Sequence, residues 1–240
     1  MPGEGIPLLQ HKDILSFEEI RDVARYGLQN GITKIRLTGG EPLVRRDVLK
    51  LVKMLGELEG LEDFSMTTNG TLLDNFAEGL RKYGIQRINV SLDSLDPEEY
   101  RYITRGGDLN KALKGLEAAK VAGLSPIKIN AVVRNEADGQ KTENSLKAFC
   151  DKNGFELRLI KEMQLEKGIF SVVEGGSGGD CLNCNRIRLT SSGMLKPCLF
   201  SDLEFSIRKL GIEQAFAMAL NNKPVSGTIN NNGKFYNIGG

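Results

Sequence analysis

Three of the four cysteines in this 240-residue chain fall in one short stretch. Cys181-Leu-Asn-Cys184 sets two thiols so close that one tight turn can aim both at the same ion or cluster. Cys198 returns after a gap long enough for a hairpin. Thiolates at such spacing are soft ligands suited to zinc or to iron–sulfur clusters. Three ligands leave a tetrahedral metal one short. For structural zinc that is a defect, which Cys150 or the lone His11 would have to fill. For an iron–sulfur cluster it leaves one iron free to bind something else. A disulfide is disfavoured, since nothing in the chain suggests secretion. Arg186 and Arg188 follow the cysteine pair directly, and guanidinium groups suit phosphate through paired, charge-assisted hydrogen bonds.

The elements that must carry these residues can be read in order. Ser16-Phe-Glu-Glu19 is a capping box, followed by Phe17, Ile20, Ala24 and Leu28 at helical spacing, with Gly31 ending the run. A strand is expected at Lys34–Thr38, a helix at Arg46–Leu58, a strand at Phe64–Thr67, a helix ending near Tyr83 and a strand at Arg87–Asp93. Asp96 and Pro97 start a helical stretch, Asn110–Ala122 is another, and Gly123 closes it. Strand Ile127–Val133, a helix around Glu143–Lys152 and strand Phe155–Ile160 complete the series. Strands that alternate with helices predict a parallel sheet, open and doubly wound or closed into a barrel. No glycine-rich dinucleotide fingerprint follows the first strand, which weakens the doubly wound nucleotide-binding option.

Each strand alternates. Arg36 and Thr38 oppose Ile35 and Leu37; Ser65 and Thr67 oppose Phe64 and Met66; Asn89, Ser91 and Asp93 oppose Ile88, Val90 and Leu92. Lys128 and Asn130 oppose Ile127 and Ile129, and Glu156 and Arg158 oppose Leu157 and Leu159. Strands buried on both faces read as continuous apolar runs. Here the apolar parity can pack under helices and the polar parity can line a cavity, which favours a barrel; a sheet with one face in water is the other reading. After Ile160 the alternation stops. Glu174–Asp180 is glycine- and serine-rich and reads as a flexible loop. Arg186–Thr190 and Met194–Leu199 can form a hairpin around Ser191-Ser-Gly193, with helices expected at Leu203–Leu210 and Ile212–Leu220 and a polar tail at Asn230–Gly240.

Composition is that of a soluble globular protein, with 32 basic and 31 acidic residues and a net charge of +1. No global field argues for nucleic-acid or membrane partners, and no apolar run approaches the length of a membrane span. The opening Met-Pro-Gly-Glu-Gly-Ile has no signal-peptide pattern, so a reducing cytoplasmic location is expected.

Thr38-Gly-Gly-Glu-Pro42 after a strand, Thr67-Thr-Asn-Gly70, Val90-Ser-Leu-Asp93, the three-cysteine spacing and a terminal Gly239-Gly240 together resemble the radical S-adenosylmethionine (radical SAM) enzymes. Within them the chain resembles the GTP 3′,8-cyclase family of molybdenum cofactor biosynthesis over nearly its whole length. The resemblance implies an α/β fold: a partial (βα)6 TIM-like barrel at 1–162 lacking its first strand, plus a small cluster-binding extension at 163–240. It implies that Gly39, Gly40 and Glu41 receive the amino group of S-adenosylmethionine, with Ser91 and Met163 also on that cofactor. Arg36, Thr67, Lys128, Arg186 and Arg188 would bind GTP, and Cys181, Cys184 and Cys198 would hold an auxiliary [4Fe–4S] cluster whose open iron takes the guanine. Gly239 and Gly240 would form a tail that enters the active site. Taken singly, Arg36 or Lys128 could equally be half of an internal ion pair, with Asp93 or Glu156.

The family's chemistry is cleavage of S-adenosylmethionine by an electron from a first [4Fe–4S] cluster, then hydrogen abstraction at C3′ of GTP and closure onto C8. The product is (8S)-3′,8-cyclo-7,8-dihydroguanosine 5′-triphosphate. That first cluster is held by Cys-x3-Cys-x2-Cys, a pattern this sequence does not contain. The opening residues resemble the segment just after its third cysteine, and the stretch between Met163 and Cys181 is shorter than in the family. The expectation is therefore a chain unable to catalyse alone. An electron donor is an expected partner, and an exposed sheet edge invites a homodimer. Alternatives are a non-catalytic nucleotide- and cluster-binding remnant, a radical SAM enzyme that modifies peptides, and a zinc-stabilised barrel.

Overall fold

The computed structural model describes residues 9–133, 139–161, 171–176 and 178–228. Their helices and strands are α1 (Phe17–Gln29), β1 (Lys34–Leu37), α2 (Val48–Gly56), β2 (Asp63–Thr68), α3 (Leu73–Lys82), β3 (Arg87–Ser91), α4 (Pro97–Ile103), α5 (Leu109–Val121), β4 (Ile127–Val133), α6 (Gly139–Asn153) and β5 (Glu156–Lys161), then β6 (Arg188–Leu189), β7 (Met194–Lys196), β8 (Phe205–Ser206), α7 (Ile207–Leu210) and α8 (Ile212–Asn221). Two compact units divide them. One lies within 33–162 and 171–178, the other within 1–32 and 179–240. The boundary drawn from sequence put 1–32 with the barrel, whereas this segment groups with the cysteine region.

The larger unit is built on a five-stranded sheet in the order β1-β2-β3-β4-β5, every neighbouring pair parallel. Sequential order decides between the two architectures left open by the alternation. A doubly wound sheet reverses its strand order at a switch point; here it never reverses, and crossovers of one hand then stack all the helices on one face, as in a barrel wall. The apolar parity faces those helices: Phe64, Met66, Ile88, Val90, Ile129 and Ala131 are buried. The helices answer with one stripe each. In α2 the buried residues are Val48, Leu51, Val52 and Leu55, and in α5 Leu109, Ala112, Leu116 and Ala119. Asp96 caps α4 by accepting from the backbone N–H groups of Glu98 and Glu99, with Pro97 in the first turn.

Of the segment read as a flexible loop, the described residues up to Gly178 turn against the sheet edge. Leu159 and Glu174 exchange backbone hydrogen bonds at 3.3 and 3.2 Å, and Val173 N–H donates to the Gly178 carbonyl at 2.8 Å. The outer edge of β5 has backbone groups to satisfy, and glycine lets the chain come close enough to do it: a Cβ on Gly175, at φ 76°, would sit 2.7 Å from the Leu157 carbonyl oxygen.

In the smaller unit α1 packs with α8 and the hairpin. Leu15, Val23, Leu195, Ile207, Ala215, Phe216 and Ala219 form its core, with the Tyr26 and Phe216 rings 5.1 Å apart. The capping box at Ser16 forms as the sequence predicts. Strands β6 and β7 pair antiparallel around Gly193, and β8 adds a third strand. The sequence reading assigned β8 to a helix; only Ile207–Leu210 is helical there, since Phe205 pairs with Leu195. Among the described residues no helix is long and apolar enough to cross a membrane.

Glu19 ties this unit together twice, closing the capping box and accepting from Arg208 Nε and Nη2 at 2.7 and 2.8 Å. The Arg208 hydrogen bonds, then the Ser16 N–H, pull its carboxyl pKa down to about 2. A depressed carboxylate stabilises the fold fully above its unfolded value of 4.5 and loses that contribution as pH falls towards about 2. The group is a third exposed, so solvent screens much of the pairing. Glu19→Ala should cost about 1 kcal/mol by denaturant unfolding at pH 7, and the difference from the unmutated chain should shrink between pH 4.5 and 2.

Candidate functional site

On the face of the sheet opposite the apolar parity the polar side chains stand in cross-strand rows. Thr67 pairs with Asn89, Asn89 with Lys128 and Lys128 with Glu156; one pleat further on, Ser91 pairs with Asn130 and Asn130 with Arg158. Arg36 pairs with Ser65 at the edge. The rows are linked by hydrogen bonds. Arg36 Nε donates to Ser65 Oγ at 3.5 Å, Asn89 Nδ2 to Thr67 Oγ1 at 3.4 Å, and Arg158 Nη1 to Asn89 Oδ1 at 3.5 Å. Lys128 forms an ion pair with Glu156, one of the two partners foreseen for it. Below these rows Arg87 and Asp63 close the N-terminal end with two hydrogen bonds of 2.7 and 2.6 Å, and the Asp63 carboxyl is held below its usual range by the Arg87 guanidinium. Arg36, on the edge strand, is exposed; Lys128 is largely covered.

The loops after β1, β2 and β3 lie at the C-terminal ends of parallel strands, where barrel folds carry their chemistry. Glu41 organises them. Its carboxylate accepts from Thr68 Oγ1 at 2.7 Å, from Asn69 N–H at 2.7 Å and from Leu43 N–H at 3.1 Å. Its side chain is thus spent on fastening the Gly39–Gly40 loop to the end of β2. Gly70 completes the turn at φ 80°, and α5 meets it so closely that a Cβ on Gly115 would lie 2.0 Å from the Gly70 carbonyl oxygen.

The second constellation belongs to the smaller unit. Cys184 N–H donates to the Cys181 carbonyl at 3.2 Å, closing the turn between them, and the three hairpin-region cysteines are unpaired and part-exposed. Phe200 N–H reaches Cys198 Sγ at 3.4 Å. Lys223 Nζ lies 3.8 Å from Cys184 Sγ and donates to the carbonyls of Arg186 and Pro197, both at 2.7 Å. Arg188 stands directly across from Lys196, and the nearly buried Lys196 is paired with Glu204 at 3.6 Å. Burial, then the Arg186 cation, lowers the Arg188 pKa, while Cys184 and Cys198 oppose the shift.

Among the described residues no three His, Cys, Asp or Glu side chains gather around a single ion. A single zinc ion would need its ligands gathered in that way. Cys150 is a core residue of α6 whose thiol is pushed up to about 11 by burial, not a fourth ligand. A cluster has a different requirement, because each thiolate binds its own iron. The donor set fits one: three reduced thiols with cationic neighbours, the surroundings that favour thiolates. The sheet face likewise fits a ligand with hydrogen-bond donors. Asn130 Oδ1, beside Ser91, is buried without a hydrogen-bond partner among the described residues.

Arg36, Thr67, Ser91 and Lys128 therefore share one face of one sheet, and Gly39, Gly40 and Glu41 sit at the end of β1. Cys181, Cys184, Cys198, Arg186 and Arg188 share the hairpin region. Met163, Gly239 and Gly240 lie outside the described residues. Asn89, Asn130 and Arg158 carry the alternation that would have marked them; Lys223 carries no pattern at all.

The radical SAM superfamily description matches residues 6–148. A GTP 3′,8-cyclase of Petrotoga mobilis is 35% identical, the match taking 94% of this chain and 86% of the relative. One of Alkaliphilus oremlandii is 36% identical, covering 93% and 85%. The first alignment runs over 277 positions against a chain of 240, so the relative holds residues there with no counterpart here. Among solved structures, native anSMEcpe with bound AdoMet matches with a TM-score of 0.63 at 16% identity, over 88% of this chain and 72% of that one, a likeness of fold alone.

Glu41→Ala should strand the Thr68 hydroxyl and Asn69 N–H, costing about 2 kcal/mol by denaturant unfolding, with faster amide exchange at Asn69 and Gly70.

Proposed function

The chain belongs to the radical SAM superfamily and, within it, to the GTP 3′,8-cyclases, and from that premise we propose which of its residues serve each part of the reaction. The protein is a radical SAM enzyme of molybdenum cofactor biosynthesis, with GTP as substrate and (8S)-3′,8-cyclo-7,8-dihydroguanosine 5′-triphosphate as the proposed product. S-adenosylmethionine and iron–sulfur chemistry supply the radical when bound; the chain supplies binding and orientation.

The loop Gly39-Gly40-Glu41 offers backbone groups to S-adenosylmethionine, while the Glu41 carboxylate holds the loop. Ser91, and next to it the orphaned Asn130 acceptor, offer polar atoms to the same cofactor. Cys181, Cys184 and Cys198 hold the auxiliary [4Fe–4S] cluster. Arg36, Thr67 and Lys128 on the sheet face, and Arg186 and Arg188 on the hairpin, bind GTP. The reaction consumes an electron, so a redox partner is part of the proposal, and the unpaired cysteines suit the cytoplasm.

One observation carries the assignment of the hairpin to an anion. Arg188 and Lys196 stand opposite each other across two strands, with Arg186 and Lys223 beside them. Glu204 compensates Lys196 at 3.6 Å, but like charges at directly opposed positions still cost a sheet stability. Thiolate sulfurs and a triphosphate offset such crowding.

None of the 240 residues supplies a Cys-x3-Cys-x2-Cys, so these residues alone are not expected to cleave S-adenosylmethionine, and GTP binding is the readout to use. In anaerobic titration calorimetry Arg186→Ala and Arg188→Ala should each weaken GTP by about 2 kcal/mol, roughly thirtyfold, and flatten the salt dependence of binding. Affinity equal to that of the unmutated chain in both variants would sink the assignment.

A further inference from the structure

Lys223 enters the reading above only as a neighbouring charge, and its geometry gives it a further role. It lies two residues past α8, after the cap Asn222, and Pro224 after it steers its backbone towards an extended conformation. An ammonium has three donors. Two go to the Arg186 and Pro197 carbonyls at 2.7 Å each, and the group lies 3.8 Å from Cys184 Sγ. Those two carbonyls belong to opposite arms of the hairpin: one lies two residues past Cys184, the other immediately before Cys198.

The strand ladder does not extend that far. Its last pair towards the cysteines is Arg188 with Lys196. Beyond that pair, where both arms run on to their thiols, Lys223 joins them instead. A second tie follows along the same segment, where Thr228 N–H and Oγ1 donate to the Phe200 carbonyl at 2.9 and 2.8 Å. Three other basic residues, Arg186, Arg188 and Lys196, already lie on the hairpin. Glu204 compensates Lys196 at 3.6 Å, and Lys223 adds a further cation beside the Cys184 sulfur.

We propose that Lys223 is a positioning residue for the three-thiolate site. It clamps the two cysteine-bearing arms at a fixed separation and sets its ammonium against the Cys184 sulfur. The clamp keeps the thiols in place before and after iron arrives. The charge favours the more negative, reduced state of whatever the thiolates hold. The inference rests on the auxiliary-cluster reading, and the test separates the two.

The full 240-residue chain is reconstituted anaerobically with iron and sulfide, alongside Cys184→Ala, Lys223→Met, Lys223→Gln and Lys223→Arg. Three quantities are measured: iron and sulfide per chain, the rate of iron loss to a chelator, and the midpoint potential by dye-mediated titration. Lys223→Met should lose iron several-fold faster and have a more negative midpoint potential. Lys223→Gln keeps donors for the carbonyls without the charge, so it should hold iron better than Lys223→Met yet show the shifted potential. Lys223→Arg should recover the potential. Release rate and potential unchanged in Lys223→Met, with iron lost in Cys184→Ala, would overturn the role of Lys223 and leave the cluster reading standing. If Lys223→Met does not fold, an unchanged potential in Lys223→Gln overturns it equally. No iron or sulfide on the unmutated chain would overturn both.

Discussion

A parallel strand must send alternate side chains to opposite faces, and the described helices of the larger unit pack on one of them. Most of what the larger unit can do follows from that constraint. The covered face is sealed with Phe64, Met66, Ile88, Val90 and Ile129, and burial of that apolar surface is the main drive to fold. A slip of one residue in any strand would turn its apolar set away from the helices. Register is therefore fixed by the core, and the opposite face inherits it without contributing much energy. Thr67, Asn89 and Lys128 stand in one row because Met66, Ile88 and Ile127 must stand in theirs.

The ends of the strands are fixed differently. Loops at the C-terminal edge have no core of their own, so polar contacts hold them. Glu41 accepts three hydrogen bonds from two different segments, and Asn69 Oδ1 accepts from both N–H and Oγ1 of Thr71. Hydrogen bonds to a charged acceptor are worth more than neutral ones and direct the geometry more tightly. The residues most visible as a motif, Gly-Gly-Glu-Pro and Thr-Thr-Asn-Gly, are in large part residues that build the loops. Two glycines can then bring bare backbone to a ligand because the glutamate beside them holds the turn.

That division explains what could be read in the sequence and what could not. The strands and helices of the sheet were legible because each has a clean period, and even the open question of doubly wound sheet or barrel was settled by strand order rather than by new residues. The polar face was legible for the same reason. Short elements were not. Phe205–Ser206 is two residues long, too short for any period, and pairs only because Leu195 is there to receive it. The turn at Glu174 looked like a linker because glycine and serine give no pattern; what orders it is the unpaired edge of β5, which no local window contains. Lys223 is the extreme case. Its partners lie 26 and 37 positions away, and a lone lysine after a helix otherwise reads as a solvated charge.

Lys128 shows how one side chain can satisfy both a structural and a binding reading. In this structure it pairs with Glu156, as the ion-pair alternative expects. The pair is lopsided: the lysine is 14% exposed and the glutamate 51%. A carboxylate that far in water can be rehydrated at little cost, and the net worth of such a pair is about 1 kcal/mol or less. A bidentate or charge-assisted bond to phosphate is stronger. Glu156 thus keeps the cation compensated and pointing along the polar face without holding it so firmly that an anion could not displace it. The same reasoning does not extend to Arg87 and Asp63, whose side chains are 19% and 22% exposed and doubly bonded. That pair closes the N-terminal end of the sheet, while the pair with the more exposed carboxylate sits higher on the same face.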